Sequence, residues 1–245
     1  MNSASIPQST AGQTLTPNFN GLARVYRWME LFTFGPWLQR CRLAFLADLA
    51  PCRHAIVLGD GDGRFTEALL HGNRSLRIDA VDLSSAMLNA LVRRAGPDAD
   101  HTRTHLADAR TWSPARPPAD PSPNPPYDLV VTHFFLDCLT SEEVSGLANR
   151  LRPHIAPGAH WVVSEFSIPE SRFGRLVARP LVSLLYLAFG FLTGLAIRSL
   201  PNHRSALRGA GFVLSRSRNW LGGLLVSELW TAGPEPAIEI ELREF

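Results

Sequence analysis

The chain has 245 residues, 45% of them hydrophobic, which is enough to bury the core of one globular domain. Its formal net charge is only +2, and all 24 basic residues are arginines scattered along the sequence. Nucleic acid is therefore not expected as a partner, because it would need clustered basic residues. No C-x-x-C spacing occurs, so neither a disulfide framework nor a zinc site is indicated, and a reducing cytosol fits the three cysteines, Cys41, Cys52 and Cys138.

Both ends of the chain differ in composition from its middle. Residues 1–20 are rich in Ser, Thr, Asn, Gln and Pro and lack the basic start and apolar core of a secretion signal, so we expect a flexible tail. We expect a second tail over residues 234–245 and a single domain over residues 21–233. That domain opens with a helical stretch, residues 21–49. The spacing of Tyr26, Trp28 and Phe32 in it is nearly helical, which is typical of a helix that packs these side chains on a sheet.

A glycine-rich turn follows the first predicted strand. Residues 55–65 read AIVLGDGDGRF, an apolar run that stops at Gly59-Asp60-Gly61-Asp62-Gly63 and continues into a helix. Three alternating glycines allow positive φ and close approach of a ligand, while the free amides and dipole of the helix N-terminus favour polar or anionic groups. The pattern predicts a nucleotide-type cofactor; the alternative is an ordinary strand–helix loop.

The second predicted strand, residues 76–82, ends in an acid. Asp82 lies about twenty residues after the last glycine, the offset at which a carboxylate accepts hydrogen bonds from ribose hydroxyls. Asp82 has an alternative role as the cap of the following helix, although Ser84 or Ser85 can serve equally well.

The rest of the chain continues the alternation of strands and helices expected of one α/β domain. One crossover is different, because residues 113–126 contain seven prolines and predict an irregular surface loop instead of a helix. Further strands are predicted over residues 127–132, 158–165, 212–218 and 224–229.

These motifs together resemble a known family. VLGDGDGRF followed by VDLSSAML is similar to motif I and the second-strand motif of the class I S-adenosylmethionine-dependent methyltransferases, and residues 127–132 and 158–165 resemble the fourth and fifth strands of that family. The resemblance implies a Rossmann-like, doubly wound sheet of seven strands, mostly parallel with the last antiparallel. It also implies S-adenosylmethionine (SAM) as the cofactor. One departure is Val57, which stands where the family carries an acid that helps to hold the methionine ammonium; Asp60 or Asp62 can substitute for it.

The resemblance also assigns residues to the cofactor site. His105 to Ala109 is similar to the motif after the third strand, which makes Asp108 the expected contact of the adenine amino group. In many members a tyrosine of an N-terminal helix closes over the cofactor. Tyr26 is the candidate for this role; the alternative is that Tyr26 only packs its helix on the sheet. The complete expected set is Gly59, Asp60, Gly61, Gly63, Asp82, Leu83, Asp108, Ala109 and Tyr26.

Candidate catalytic residues follow the fourth strand, because open parallel sheets bind ligands beyond the carboxyl ends of their strands. His133 is the candidate base for a hydroxyl acceptor, or else a histidine hydrogen-bonded within its loop. Asp137 is expected either to orient His133 or to cap the helix near Ser141. Glu165, at the end of the fifth strand, is a further carboxylate of the pocket. The remaining histidines show no pairing that suggests a metal site.

Residues 181–197 form an uncharged run of 17 residues between Arg179 and Arg198. A membrane span, a membrane-surface contact and a buried or substrate-covering helix are the alternatives, and a span would separate the last two strands from their sheet. In the family an insertion at this place, here residues 171–200, commonly forms part of the acceptor pocket. Together with Phe134 and Phe135, an apolar lid predicts a small hydrophobic acceptor such as a quinone, polyketide, isoprenoid or lipid.

The sequence thus predicts a cytoplasmic methyltransferase, with peripheral membrane contact through residues 181–197 as an option. One alternative is a non-catalytic, membrane-associated module that keeps the fold. The missing acid at Val57 leaves this alternative open. The other is a nicotinamide-dependent oxidoreductase, but its hydride-site motif Tyr-x-x-x-Lys needs a lysine and the chain has none. No residue pattern indicates the acceptor atom or the oligomeric state.

Overall fold

The computed structural model describes residues 35–114, 126–171, 174–180, 182 and 200–234. Seven strands form one sheet in the order β3-β2-β1-β4-β5-β7-β6. Strands β1 to β5 run parallel to one another, and β7 is antiparallel to both β5 and β6. This confirms the predicted doubly wound sheet with an antiparallel last strand. The strands are β1 His54–Leu58, β2 Arg77–Asp82, β3 Thr102–Leu106, β4 Tyr127–His133, β5 Ile155–Phe166, β6 Phe212–Trp220 and β7 Leu225–Ala232.

The helices cover both faces of the sheet. They are α1 Gly35–Arg42, α2 Arg64–Gly72, α3 Ser85–Ala95, α4 Ser141–Leu151 and α5 His203–Gly209. Short 3-10 segments comprise Leu43–Leu49, which continues α1, and Gly96–His101, Leu136–Cys138, Arg152–His154 and Leu221–Gly223, and a π-helical turn spans Gly174–Ala178.

Two apolar layers hold the helices on the sheet. Because the central strands are buried on both faces, they read as continuous apolar runs, as parallel sheets require. Val57 and Val131 face a layer that includes Phe45, Leu69 and Leu91, from the segment after α1, from α2 and from α3. Side chains alternate along a strand, so the neighbouring residues face the opposite layer, formed by α4 and α5. Its members include Ile56, Val130, Val144, Leu147 and Leu207.

The strand order places the switch point of the sheet between β1 and β4. The chain leaves β1 toward β2 on one side, and it leaves β4 toward β5 on the other. A crevice therefore opens where the carboxyl ends of β1 and β4 meet, which is where open α/β sheets bind ligands. The glycine turn follows β1 at this edge, and residues 134–138 follow β4.

Several predictions concern residues outside the described part of the chain. These are the N-terminal tail, Tyr26, most of the proline-rich crossover (115–125), the apolar run except residue 182, and residues 235–245. Within the described residues, no helix combines the length and the apolar character that a membrane crossing requires.

Candidate functional site

The three glycines of the turn have positive φ values of 65°, 62° and 81° at Gly59, Gly61 and Gly63, respectively. Two of them are needed for packing: a Cβ on Gly59 would lie 2.4 Å from the Phe135 ring, and one on Gly63 would lie 2.7 Å from the Leu91 backbone. Among the described residues, a Cβ on Gly61 would meet no atom within 4 Å. The backbone is thus bare at Gly61 and opens on free space, as close approach of a ligand requires.

Backbone hydrogen bonds hold the turn at both ends. Gly59 N donates to Val81 O at 3.0 Å and Gly63 N donates to Asp60 O at 3.3 Å. Within the described ranges, no protein acceptor is recorded for the amides of residues 60–62. Three unpaired donors beside the N-terminus of α2 favour a polar or anionic ligand.

The two aspartates of the turn have structural partners. Asp60 Oδ2 accepts hydrogen bonds from Thr66 N at 2.9 Å and Thr66 Oγ1 at 2.7 Å, so Asp60 stabilises the first turn of α2, where the N-cap residue Gly63 has no side chain. Asp62 instead forms an ion pair with Arg94 at 2.9 Å. No described residue forms a hydrogen bond with Asp60 Oδ1, which makes Asp60 the better candidate to compensate for Val57.

Asp82 ends β2, next to the glycine turn. Its Oδ1 accepts a hydrogen bond from Ser84 N at 2.8 Å. Ser84 is the N-cap of α3, because its Oγ accepts from Met87 N at 3.3 Å, so the cap is a serine as expected and Asp82 is left for another role. Burial and, less strongly, the neighbouring Asp60 raise the pKa of Asp82 to about 6. The next side chain, Leu83, is 47% exposed and offers an apolar surface beside the carboxylate.

Asp108 follows β3 and is bound by a residue that the sequence analysis did not identify. Arg110 Nε lies 3.0 and 2.9 Å from the two Asp108 oxygens, and Arg110 Nη2 lies 2.7 Å from Oδ2. These hydrogen bonds lower the pKa of Asp108. Arg110 also contacts Glu143 on α4 at 3.3 Å, while Ala109 is buried. An adenine amino group would share the Asp108 carboxylate with Arg110. The spacing of two residues between Asp108 and Arg110 is the sequence feature from which this ion pair could have been predicted.

Adjacent strand ends bring the cofactor candidates together. Gly61, Asp82 and Asp108 follow β1, β2 and β3, which are neighbours in the sheet, so they lie along one edge. The open space at Gly61, the turn amides and the half-buried Asp82 carboxylate match the polar nucleoside that SAM presents. The described residues therefore fit SAM at the turn and at the ribose position.

His133 is the last residue of β4, but its side chain is buried. Its side chain is only 3% exposed, its Nδ1 lies 2.8 Å from Ser164 Oγ, and its ring packs edge-on against Phe65 with centroids 4.3 Å apart. Burial, together with the charge of Arg42, keeps the pKa of His133 well below its usual value. Its Nε2 is buried without a hydrogen-bond partner among the described residues. This geometry favours a packing histidine over a base that meets an acceptor.

Asp137 neither contacts His133 nor caps α4 in the recorded hydrogen bonds of the described residues. The expectation of a cap is wrong: Thr140, with extended backbone, caps α4 by accepting from Glu143 N at 3.2 Å. Asp137 instead lies in the short turn Leu136–Cys138 and accepts from Cys138 Sγ at 3.5 Å. Side chains alternate along β5, so Ser164 shares the face of His133 while Glu165 points to the other face.

Glu165 fixes the loop that follows β4. Its Oε1 accepts from Leu136 N at 2.8 Å and from Phe135 N at 3.2 Å. The preceding residue, Phe134, has a φ of 52°, an unfavourable value for a non-glycine residue that the surrounding contacts must hold. Glu165 therefore positions Phe134 and Phe135 at the switch point, beside the glycine turn.

Comparisons with known proteins agree with this geometry. Residues 56–161 match the family model described as a methyltransferase domain. Over 124 residues the chain is 35% identical to a trans-aconitate 2-methyltransferase of Delftia acidovorans, covering 51% of this chain and 41% of the relative. The chain thus spans less than half the length of this relative.

Solved structures show the same fold at low sequence identity. The mitomycin 7-O-methyltransferase MmcR aligns over 88% of this chain and 57% of its own, with a TM-score of 0.64 and 15% identity. The N-methyltransferase NodS of Bradyrhizobium japonicum, in complex with S-adenosylhomocysteine (SAH), aligns over 87% of this chain and 99% of its own, with a TM-score of 0.56 and 16% identity. The resemblance to class I methyltransferases is confirmed for the fold and for the matched domain.

Proposed function

We propose that this chain, a class I methyltransferase in its fold and over its matched domain, transfers a methyl group from SAM to a small hydrophobic acceptor. The observation that carries the proposal is the turn after β1, next to the carboxylate of Asp82. Among the described residues, three amides of this turn have no acceptor, and a Cβ on Gly61 would meet no atom within 4 Å. Packing against these residues therefore does not require a glycine at position 61.

Each side chain of the site has a definite task in this proposal. The amides of residues 60–62 hold the polar end of the donor, and Asp82 accepts hydrogen bonds from the ribose. Asp108, held by Arg110, receives the adenine amino group, with Leu83 and Ala109 beside it. When bound, SAM supplies a methyl group on a positively charged sulfur, so the protein has mainly to align the acceptor and take up its proton.

The acceptor class follows from the apolar surroundings of the switch point. The rings of Phe134 and Phe166 lie 5.4 Å apart, directly after β4 and at the end of β5. Phe166 also contacts the apolar cluster of Ala178, Val182 and Leu224, to which the described part of the insertion belongs. Apolar and aromatic surfaces of this kind bind ligands such as quinones, polyketides, isoprenoids or lipids.

A glycine substitution gives the sharpest test of the donor site. Gly61→Ala places a methyl group in the open space of the turn without a clash within the described protein. We expect the fold to lose about 1 kcal/mol because of the positive φ, and SAH binding, measured by isothermal titration calorimetry, to fall below detection.

Gly96→Ala is the matched control. Gly96 also has positive φ and an open Cβ position, but it lies at the end of α3, away from the turn. Because Gly96 combines a φ of 57° with a ψ of −124°, Gly96→Ala should destabilise the fold at least as much, and it should leave SAH binding intact. Equal affinity of the Gly61→Ala and wild-type proteins would refute the proposed donor site. A wild-type protein that binds no SAH but sediments with liposomes would support the non-catalytic, membrane-associated alternative.

The acceptor is tested separately with labelled SAM. Quinones, phenols and lipids form the group of apolar candidate acceptors. Trans-aconitate serves as the polar comparison, because the relative from Delftia acidovorans is named as a trans-aconitate methyltransferase. Methylation of trans-aconitate without methylation of any apolar candidate would contradict the hydrophobic acceptor while leaving methyl transfer in place.

A further inference from the structure

Arg94, in the last turn of α3, binds the end of the glycine turn (residues 59–63). Its Nε donates to the Asp62 carbonyl oxygen at 3.0 Å, and its Nη2 donates to Asp62 Oδ2 at 2.9 Å. A third hydrogen bond runs from Arg94 Nη1 to Glu67 Oε2 on α2 at 3.3 Å. One guanidinium thus binds the backbone and the side chain of the same turn residue and joins α3 both to the turn and to α2.

Packing does not fix the middle of the glycine turn. Among the described residues, a Cβ on Gly61 would meet no atom within 4 Å, and glycine has the largest backbone freedom of any residue. The peptide group between residues 62 and 63 is instead bound at both of its polar atoms. Gly63 N donates to Asp60 O at 3.3 Å, and Arg94 binds the carbonyl oxygen of Asp62. Hydrogen bonds therefore fix the end of the turn that leads into α2.

The same face of α3 also packs against this end of the turn. Leu91 precedes Arg94 by three residues, so the two side chains lie on one face of the helix. A Cβ on Gly63 would lie 2.7 Å from the Leu91 backbone, which shows how closely α3 approaches the turn. The apolar contact of Leu91 and the hydrogen bonds of Arg94 thus act on adjacent residues of the turn.

Arg64, the first residue of α2, does not duplicate the contacts of Arg94. Its Nε lies 3.2 Å from Asp62 Oδ2, the carboxylate oxygen that Arg94 also binds. Arg64 follows Asp62 by only two residues, so this contact does not tie the turn to a distant element. The contact with the carbonyl oxygen of Asp62 comes from Arg94, which makes Arg94 the polar link between the turn and α3.

Resting on the proposed function, we propose that Arg94 is a positioning residue of the donor site. It fixes the end of the glycine turn through Asp62 and so keeps the amides of residues 60–62 in the arrangement that binds the polar end of SAM. A site that is already ordered loses less conformational entropy when its ligand binds. Arg94 therefore increases the affinity for SAM and SAH without touching either of them.

The variant Arg94→Met tests this role, because it keeps a long, helix-favouring side chain and removes all three hydrogen bonds. We expect the SAH dissociation constant, measured by isothermal titration calorimetry, to rise about five- to tenfold. Arg93→Met is the matched control, since Arg93 is the exposed neighbouring residue in the same turn of α3 and carries the same charge. This control should bind SAH like the wild type.

A double-mutant cycle distinguishes positioning through Asp62 from a direct contact of Arg94 with the donor. Arg94→Met should raise the SAH dissociation constant by a smaller factor in an Asp62→Asn background than in the wild type, because the two residues act as a unit. Salt gives a second readout. The Arg94 and Asp62 side chains are 34% and 25% exposed, so added salt should weaken SAH binding more in the wild type than in Arg94→Met.

Arg94→Lys restores the charge but replaces the planar guanidinium with a single ammonium group, so it should recover only part of the lost affinity. Equal SAH dissociation constants for Arg94→Met and Arg93→Met would overturn the positioning role and leave the donor site in place. The same rise with and without Asp62→Asn would also overturn it. A wild-type protein without affinity for SAH would instead overturn the proposed function itself.

Discussion

At the scale of single residues, the protonation state of Asp82 matters most for binding of the donor. Its carboxylate combines burial with the nearby charge of Asp60, and its pKa is raised to about 6. An ionised carboxylate accepts hydrogen bonds from ribose hydroxyls more strongly than a neutral one. The affinity of the proposed donor site should therefore depend on pH within the range in which most proteins stay folded.

We predict that the affinity for SAH falls as the pH drops through about 6, because protonation of Asp82 weakens its hydrogen bonds to the ribose. Asp82→Asn should bind weakly at all pH values and should lack this dependence. Calorimetric titrations between pH 5 and 8 measure both effects.

Asp100→Asn serves as the control for Asp82, since Asp100 is an exposed acid in the segment after α3 and has no recorded ion pair. Its affinity and pH dependence should match those of the wild type. An unchanged affinity in Asp82→Asn would remove this carboxylate from the donor site.

At the scale of elements, α4 begins with a reciprocal cap. Thr140 Oγ1 accepts from Glu143 N at 3.2 Å, and Glu143 Oε2 accepts from Thr140 N at 2.8 Å. The same Glu143 contacts Arg110, which holds Asp108. The start of α4 is thus linked to the adenine side of the proposed site.

We predict that Thr140→Ala lowers the free energy of unfolding by about 1 kcal/mol, because one helix amide loses its acceptor. Thr140→Ser keeps the hydroxyl and should unfold at nearly the wild-type denaturant concentration. Urea titrations followed by circular dichroism provide the comparison, and equal stability of the Ala and Ser variants would contradict a stabilising cap.

At the scale of the whole molecule, a buried polar network joins α5 to the antiparallel end of the sheet. The Glu228 carboxylate on β7 accepts from Trp230 Nε1 at 3.0 Å and contacts His203 Nε2 at 3.1 Å and Arg204 at 2.6 Å. Burial alone would raise the pKa of Glu228, but the hydrogen bonds and charges of His203 and Arg204 outweigh it and hold the pKa below its usual value.

The sign of this shift fixes how stability depends on pH. A carboxyl group whose pKa is lower in the folded state stabilises the fold above its unfolded pKa, and this contribution is lost as the pH falls through the folded value. Glu228→Gln should therefore cost on the order of 2–3 kcal/mol near pH 7. The difference should narrow only as the pH falls below the unfolded pKa of about 4.3 toward the lower folded pKa, where the wild-type carboxyl also becomes protonated. A difference that stays constant down to the lowest pH at which both proteins fold would show that the charge of Glu228 does not stabilise the fold.

Local residue patterns predicted the strands and the α/β class, and the family resemblance implied the doubly wound sheet of seven strands. The apolar runs and the glycine turn marked the first strands, and the alternation of strands with helices indicated one α/β domain. The strand ends differ by a few residues: β5 begins at Ile155 instead of residue 158, and β7 ends at Ala232 instead of residue 229. Ladder hydrogen bonds with the neighbouring strand extend a strand beyond its apolar run.

The sequence by itself determined the α/β fold class, since the glycine turn, the position of Asp82 and the alternation of strands with helices all follow from short segments whose local geometry is nearly independent of the rest of the chain. Only the tertiary structure decided which acids and bases have partners. It placed His133 beside Ser164, and the Glu165 carboxylate against the amides of Phe135 and Leu136. Burial and contacts between distant segments set these pairings, because the face on which a side chain ends depends on the neighbouring strands and helices packed against it.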